Sequence, residues 1–116
     1  MKIVYNGEMD PRLCKDVIKV TLQDMLAKDP DVTYLDADLM GCIGMIDWSK
    51  ANPDRGIECG IAEANMIGVA AGLASAGFKP VVHTFGPFAS RRVYDQAFLS
   101  AGYAKNDITI IGTDAG

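Results

Sequence analysis

The sequence of 116 residues predicts an α/β domain of three layers, α/β/α, around a mainly parallel sheet. Short apolar runs of strand length alternate with longer stretches of helical periodicity, the pattern of strand–helix–strand units that build parallel sheets. Polar and aromatic residues also gather just past the ends of these runs: Asp36-Ala37-Asp38 after one, Glu63 after the next, Phe85, Phe88 and Arg91 after a third. In open parallel sheets, ligands bind along that carboxyl edge.

Taken in order, Asp10-Pro11 reads as a helix start, a capping acid followed by proline at the first helical position. Leu13, Val17, Ile18, Val20, Leu22, Met25 and Leu26 then recur at helical spacing and predict an amphipathic helix to about Ala27. Asp29-Pro30-Asp31 is a turn, and residues 32–35 form a short strand. From Leu39 to Asp54 the pattern weakens to a glycine-containing loop and a turn or two of helix over residues 46–50. A strand over residues 56–59 ends at Gly60, and Glu63 opens a helix lasting to about Ala76, where Gly77 stops it. That helix is apolar all round, which requires cover on more than one side. Its Ala64, Gly68 and Gly72 form a stripe almost without side chains, suited to a partner surface. Residues 80–84 are the next strand. A last helix begins near Phe85 with Tyr94, Ala97, Phe98 and Ala101 on its inner face, and residues 107–112 are a final strand.

Composition narrows the function. Hydrophobic residues make up 49% and charged residues 22%, as in a globular domain. A net charge of −4 without a basic cluster argues against nucleic acid or an anionic membrane as partner. Cys14, Cys42 and Cys59 are odd in number and widely spaced, which suits reduced thiols in a cytoplasmic protein rather than a disulfide framework or a zinc site. The first ten residues turn polar too soon for a signal peptide. The most apolar segment, residues 64–78, is shorter than the roughly 18 residues of a membrane span.

Singly, the candidate residues have ordinary explanations. Glu63 is an acid in a helix's first turn, favoured by the dipole. Phe85, Phe88 and Tyr94 suit a core, Arg91-Arg92 a solvated face, Asp38 a strand-end cap, and His83 a hydrogen-bonded structural role. The glycines spell neither phosphate-binding motif.

Together they say more. Gly60-Ile61-Ala62-Glu63-Ala64-Asn65-Met66-x-Gly68-x-Ala70-Ala71-Gly72-Leu73-Ala74, then His83-Thr84-Phe85-x-x-Phe88-x-x-Arg91 with Asp95-Gln96, closely resembles the pyrimidine-binding domain of transketolases and 1-deoxyxylulose-5-phosphate synthases. Leu35-Asp36-Ala37-Asp38-Leu39 resembles the first cofactor-facing strand end of transketolases, so the resemblance covers nearly the whole chain.

The resemblance implies thiamine diphosphate as cofactor. Glu63 matches the glutamate that hydrogen-bonds N1′ of the aminopyrimidine and promotes its imino form. Phe88 matches the aromatic stacked on that ring, with Phe85 beside it. Asp38 and Leu39 match residues approaching the cofactor from the first strand, and Arg91 stands where the synthases have an arginine. The family's G-D-G…N site for diphosphate and Mg²⁺ belongs to a separate domain, and its G-x-x-E-D-G-x-T-H-Q loop is not among these residues. The expectation is therefore one pyrimidine-binding domain over residues 1–116, truncated at its carboxyl end, from a transketolase or its split subunit; the start at Met1 favours the latter. It would be inactive without a diphosphate-binding partner that holds Mg²⁺, would assemble as a homodimer or heterotetramer, and would act on sugar phosphates of the pentose phosphate type. The alternatives are a 1-deoxyxylulose-5-phosphate synthase, a 2-oxo acid dehydrogenase β-type subunit, or a non-catalytic assembly subunit. Asp36 to Leu39 lean towards transketolase, Arg91-Arg92 towards the synthase.

Overall fold

The computed structural model describes residues 7–115. Its elements are α1 (Cys14–Lys28), β1 (Val32–Asp36), α2 (Ile46–Ala51), β2 (Gly56–Glu58), α3 (Glu63–Ser75), β3 (Lys79–Phe85), a composite helix α4 and β4 (Thr109–Thr113). Three pieces make up α4: a π-helical turn (Phe88–Arg92), an α turn (Tyr94–Gln96) and a second π-helical stretch (Ala97–Tyr103).

The strands pair in the order β2-β1-β3-β4, and every pairing is parallel. Successive strand residues face opposite sides, so the sheet builds two cores. On one face Val32, Tyr34 and Val81 pack with Leu22 and Leu26 of α1 and with Met40, Ile43 and Met45. On the other, Leu35, Ala37 and Val82 pack with Met66, Ile67 and Ala70 of α3 and with Val93. This is the predicted three-layer arrangement. From β1 the chain leaves towards β2 on one side, and from β3 towards β4 on the other. The topological switch point, where such sheets open a crevice, therefore lies between the carboxyl ends of β1 and β3.

One side chain closes the opposite end. Arg55 donates from Nε to the Val32 carbonyl at 3.0 Å, and from Nη2 to the carbonyls of Leu26 and Asp29, both at 2.8 Å. It thus satisfies a carbonyl in the last turn of α1, where a cation is also favoured by the dipole. Lys79 Nζ lies 2.6 Å from Asp29 Oδ2 and holds that carboxyl below its ordinary range, tying the start of β3 to the turn before β1.

Several local expectations are corrected. Helix α1 starts at Cys14, not at Asp10-Pro11, because the Asp10 carboxylate is taken by the backbone and guanidinium of Arg12 at 2.9 and 2.6 Å. Of its seven apolar positions only Leu22 and Leu26 are buried, with Ile18 packed beside them; Leu13, Val17, Val20 and Met25 stay exposed. Strand β3 runs through Phe85, and helical backbone follows at once from Gly86 into α4, as the expected helix start near Phe85 requires. The wide turns of α4 change its phase, so Val93 and Ala97 face the core. Tyr94 and Phe98, predicted inside, are 65% and 58% exposed and stack on each other with centroids 6.3 Å apart. Within this chain the small-residue stripe of α3 is uncovered, as expected of a side left to a partner surface: a Cβ built on Gly68 or Gly72 would meet nothing within 4 Å. Residues 1–6, part of the leader read against a signal peptide, lie outside the described residues. No helix among the described residues is long and apolar enough to cross a membrane.

Among the described glycines Gly56 has the closest neighbours, since a Cβ there would come within 2.7 Å of the Ser49 backbone. Gly56→Ala is expected to destabilise by about 1–3 kcal/mol, as overpacking does. Gly68→Ala, on the open side of α3, should instead gain up to about 1 kcal/mol of helix stability. Urea unfolding of the two variants checks the contrast.

Candidate functional site

The carboxyl edge is organised by one buried carboxylate. Asp36, the last residue of β1, stands opposite His83 of β3. Its Oδ2 accepts from the Tyr34 hydroxyl and lies 2.6 Å from His83 Nδ1, while its Oδ1 accepts from the Leu39 backbone N–H. On the far side of the imidazole, His83 Nε2 is 3.0 Å from Thr113 Oγ1 of β4. Three adjacent strands are thus cross-tied at their ends, and Tyr34, Asp36 and His83 are fully buried. Burial first, and then the negative charge of Asp36, hold the Tyr34 hydroxyl far above its ordinary pKa. His83 is buried and hydrogen-bonded at both ring nitrogens.

Beyond Asp36 the chain reverses at Asp38, whose φ of 63° is left-handed. The Glu58 carboxylate secures this turn: its Oε1 accepts from the N–H groups of Asp38 and Gly60, each at 2.8 Å. Gly60, at φ 68°, turns the chain into α3. One side chain at the sheet edge therefore fixes both the Asp38 turn and the approach to Glu63.

Glu63 opens α3 and is only 2% exposed. Its Oε1 accepts from Arg92 Nη1 at 2.7 Å. The same guanidinium lies over the Phe88 ring, 3.7 Å from its centroid. Phe85 adjoins Phe88 with centroids 6.2 Å apart and planes tilted by 41°. Phe85 also lines a cavity of about 670 Å³ between the start of α1 and the end of β4.

Of the predicted residues, the fold brings Glu63, Phe88 and Phe85 together. Asp38 and Leu39 stand at the neighbouring strand end, anchored by Glu58 and Asp36; Asp38 is exposed and lines a separate cavity of about 490 Å³ with Glu58, Met40 and Ile46. Arg91 is not brought in. It is exposed and makes no ion pair among the described residues, and Arg92 takes its place. The cause is the π-helical turn, whose i→i+5 winding carries Arg91 round the axis and leaves Arg92 over Phe88. A signal existed: the spacing Arg-x-x-Asp-Gln begins at Arg92, not Arg91.

This cluster can be tested for fit to an aminopyrimidine. A flat, N–H-bearing cationic group is already stacked on a phenyl ring and hydrogen-bonded to a buried carboxylate. An aminopyrimidine has the same flat face, and its ring nitrogen hydrogen-bonds a carboxyl group that carries the shared proton, so the residues present fit it. Among the described residues no group of three or more His, Cys, Asp or Glu is arranged to hold a metal ion.

The family model described as "Transketolase, pyrimidine binding domain" matches residues 13–116. The 6-deoxy-6-sulfo-D-fructose transketolase subunit of Clostridium sp. (strain MSTE9) is 43% identical over 97% of this chain, which spans 35% of that protein. The 1-deoxy-D-xylulose-5-phosphate synthase of Cutibacterium acnes is 34% identical over 75% of the chain, which spans 14% of the synthase. Among solved structures, a split-gene transketolase in an inactive β4 tetramer superposes with a TM-score of 0.71 at 36% identity, covering 81% of this chain and 31% of that one. The chain thus spans about a third or less of the length of these proteins.

The Asp36 network predicts an order of losses. His83→Ala breaks a buried pair and should cost about 3–5 kcal/mol. Tyr34→Phe removes one hydrogen bond to a carboxylate and should cost about 1.5–3 kcal/mol. The Tyr34 hydroxyl is held above its unfolded value of 10.0, so its stabilising effect is complete below that pH and is lost as pH rises through the folded pKa. Urea unfolding at neutral and alkaline pH should show a larger alkaline loss in the wild type than in Tyr34→Phe, where the raised Cys59 thiol and Lys79 ammonium still contribute.

Proposed function

The chain belongs to the transketolase pyrimidine-binding domain family, and from that membership we propose that residues 1–116 are the pyrimidine-binding domain of a thiamine-diphosphate-dependent transketolase. Its reaction moves a two-carbon ketol unit between sugar phosphates in the cytoplasm. The observation that carries this reading is the buried Glu63 carboxylate at the start of α3, clustered with the Phe88 ring.

When bound, thiamine diphosphate supplies the electron sink for carbon–carbon cleavage. The chain's own residues bind and activate its pyrimidine end. Phe88 offers a flat apolar face, backed by Phe85. Glu63 holds a proton at the ring nitrogen N1′, and its burial keeps water from competing for that hydrogen bond. Asp38 and Leu39 approach from the end of β1, where Asp36 and Glu58 fix their backbone.

We assign the diphosphate and its Mg²⁺ to a diphosphate-binding subunit or domain, without which this chain is inactive. The assembled enzyme is a homodimer or heterotetramer. The open side of α3 supports an assembly surface: Gly68 and Gly72 face no neighbouring atoms, and Ile61 and Val69 beside them are exposed. A second reading, as part of a 1-deoxyxylulose-5-phosphate synthase, is favoured by the arginine at Glu63 and by the similarity to such a synthase. Assays of the assembled enzyme with pentose phosphates, and separately with pyruvate and a triose phosphate, decide between the two.

Glu63→Gln keeps the size and hydrogen-bonding ability of the side chain but removes its proton transfer. In the assembled enzyme turnover should fall by about 10²–10⁴-fold with a much smaller change in cofactor affinity. Phe88→Ala should show the reverse balance. Exchange of the cofactor's C2 proton, followed by NMR in deuterated buffer, isolates the activation step. Equal rates for wild type and Glu63→Gln would refute the assignment. The assembly surface has its own test. Gly68→Leu should leave the fold intact and shift sedimentation towards the monomer, whereas an unchanged assembly would remove α3 from the interface.

A further inference from the structure

We propose that Arg92 is an internal ligand of the pyrimidine subsite, holding both of its contacts in the cofactor-free chain and swinging out as the ring enters. The inference rests on the function proposed above. The geometry makes the two occupants exclusive. A guanidinium 3.7 Å from the Phe88 centroid already sits at stacking distance, which leaves no room for a second flat group on that side of the ring. The same side chain fills Glu63 Oε1 at 2.7 Å. One residue therefore engages both the stacking face and the proton-handling carboxylate.

Physical need explains its presence. Apart from Arg92, Glu63 has no side-chain partner among the described residues, and a buried carboxylate with nothing to pair it is strongly disfavoured. Glu63 is itself shielded from water, so the empty site requires a cation beside it. Arg92 can serve and then leave because its side chain is 45% exposed, with solvent on its outer side to receive it. Phe88 and Arg92 also share one π-helical turn, so release takes a side-chain rotation rather than a shift of the backbone. Binding then carries a conformational tax. The apparent affinity is the intrinsic affinity multiplied by the fraction of molecules in which Arg92 has swung away.

The experiment uses the protein carrying this chain, assembled with its diphosphate-binding subunit, and thiamine diphosphate at fixed Mg²⁺ as the probe. Calorimetric titration should show Arg92→Met binding about three- to tenfold tighter than wild type, because the competitor is gone. Arg92→Lys, which keeps the charge but loses the planar stack, should fall between them. In the wild type, the Arg92 side-chain N–H resonance should carry the upfield ring-current shift of a group over Phe88 and lose it on saturation with cofactor. That measurement needs no variant, so a misfolded Arg92→Met does not rescue the idea. Unchanged or weaker binding by Arg92→Met, or a ring-current shift that persists at saturation, overturns the inference and leaves the proposed function standing. No binding by wild type or variant overturns both.

Discussion

The carboxyl edge depends on the burial of Asp36. A carboxylate with no exposure needs hydrogen-bonding partners, and here three reach it from different places in the chain. Tyr34 reaches it from the same strand, His83 from the adjacent one, the Leu39 amide from the following turn, and Thr113 joins through the imidazole. These bonds set the ends of β1, β3 and β4 level with one another. They also hold the backbone just before Asp38, where the chain takes a left-handed conformation that a non-glycine residue adopts only when its surroundings require it.

With the strand ends fixed, the strand order supplies the rest. Because β1 and β3 lead away in opposite directions, their carboxyl ends bound a crevice that neither connection covers. Asp38 and Leu39 stand at the end of β1, and Phe85 and Phe88 follow the end of β3. Glu63 is delivered across β1 by the longer crossover through α3. Glu58, on the edge strand, coordinates the two approaches by accepting one hydrogen bond from each turn. Arg92 stays half-exposed beside Glu63, and the Gly68–Gly72 side of α3 is open.

Much of this was legible in the sequence. Each strand was visible as a short apolar run, with boundaries correct to within about two residues, because parallel strands between helical layers must be apolar. The long helices α1 and α3 were visible from periodicity and from glycine and acid signals at the ends of α3. Legibility failed where a local signal had a nearer competitor. Asp10 could not cap α1 because Arg12, two residues away, already held its carboxylate. The inner face of α4 was misplaced because periodicity counts 3.6 residues per turn, and this helix winds more widely over much of its length.

Residue types and their spacing were enough to give the α/β class, the order of elements and the family, and to single out Glu63, Phe85, Phe88, Asp38 and Leu39 as candidates. These follow from residue types at fixed spacings, and spacing is a property of the chain alone. Only the tertiary structure decided which residues meet. That Asp36 and His83 form one buried pair depends on strand register, since residues 47 apart in sequence become neighbours through a sheet pairing no local pattern encodes. That Arg92 rather than Arg91 faces Glu63 depends on the pitch of a single helical turn. Packing chooses that pitch, and packing is settled only when the whole chain has folded.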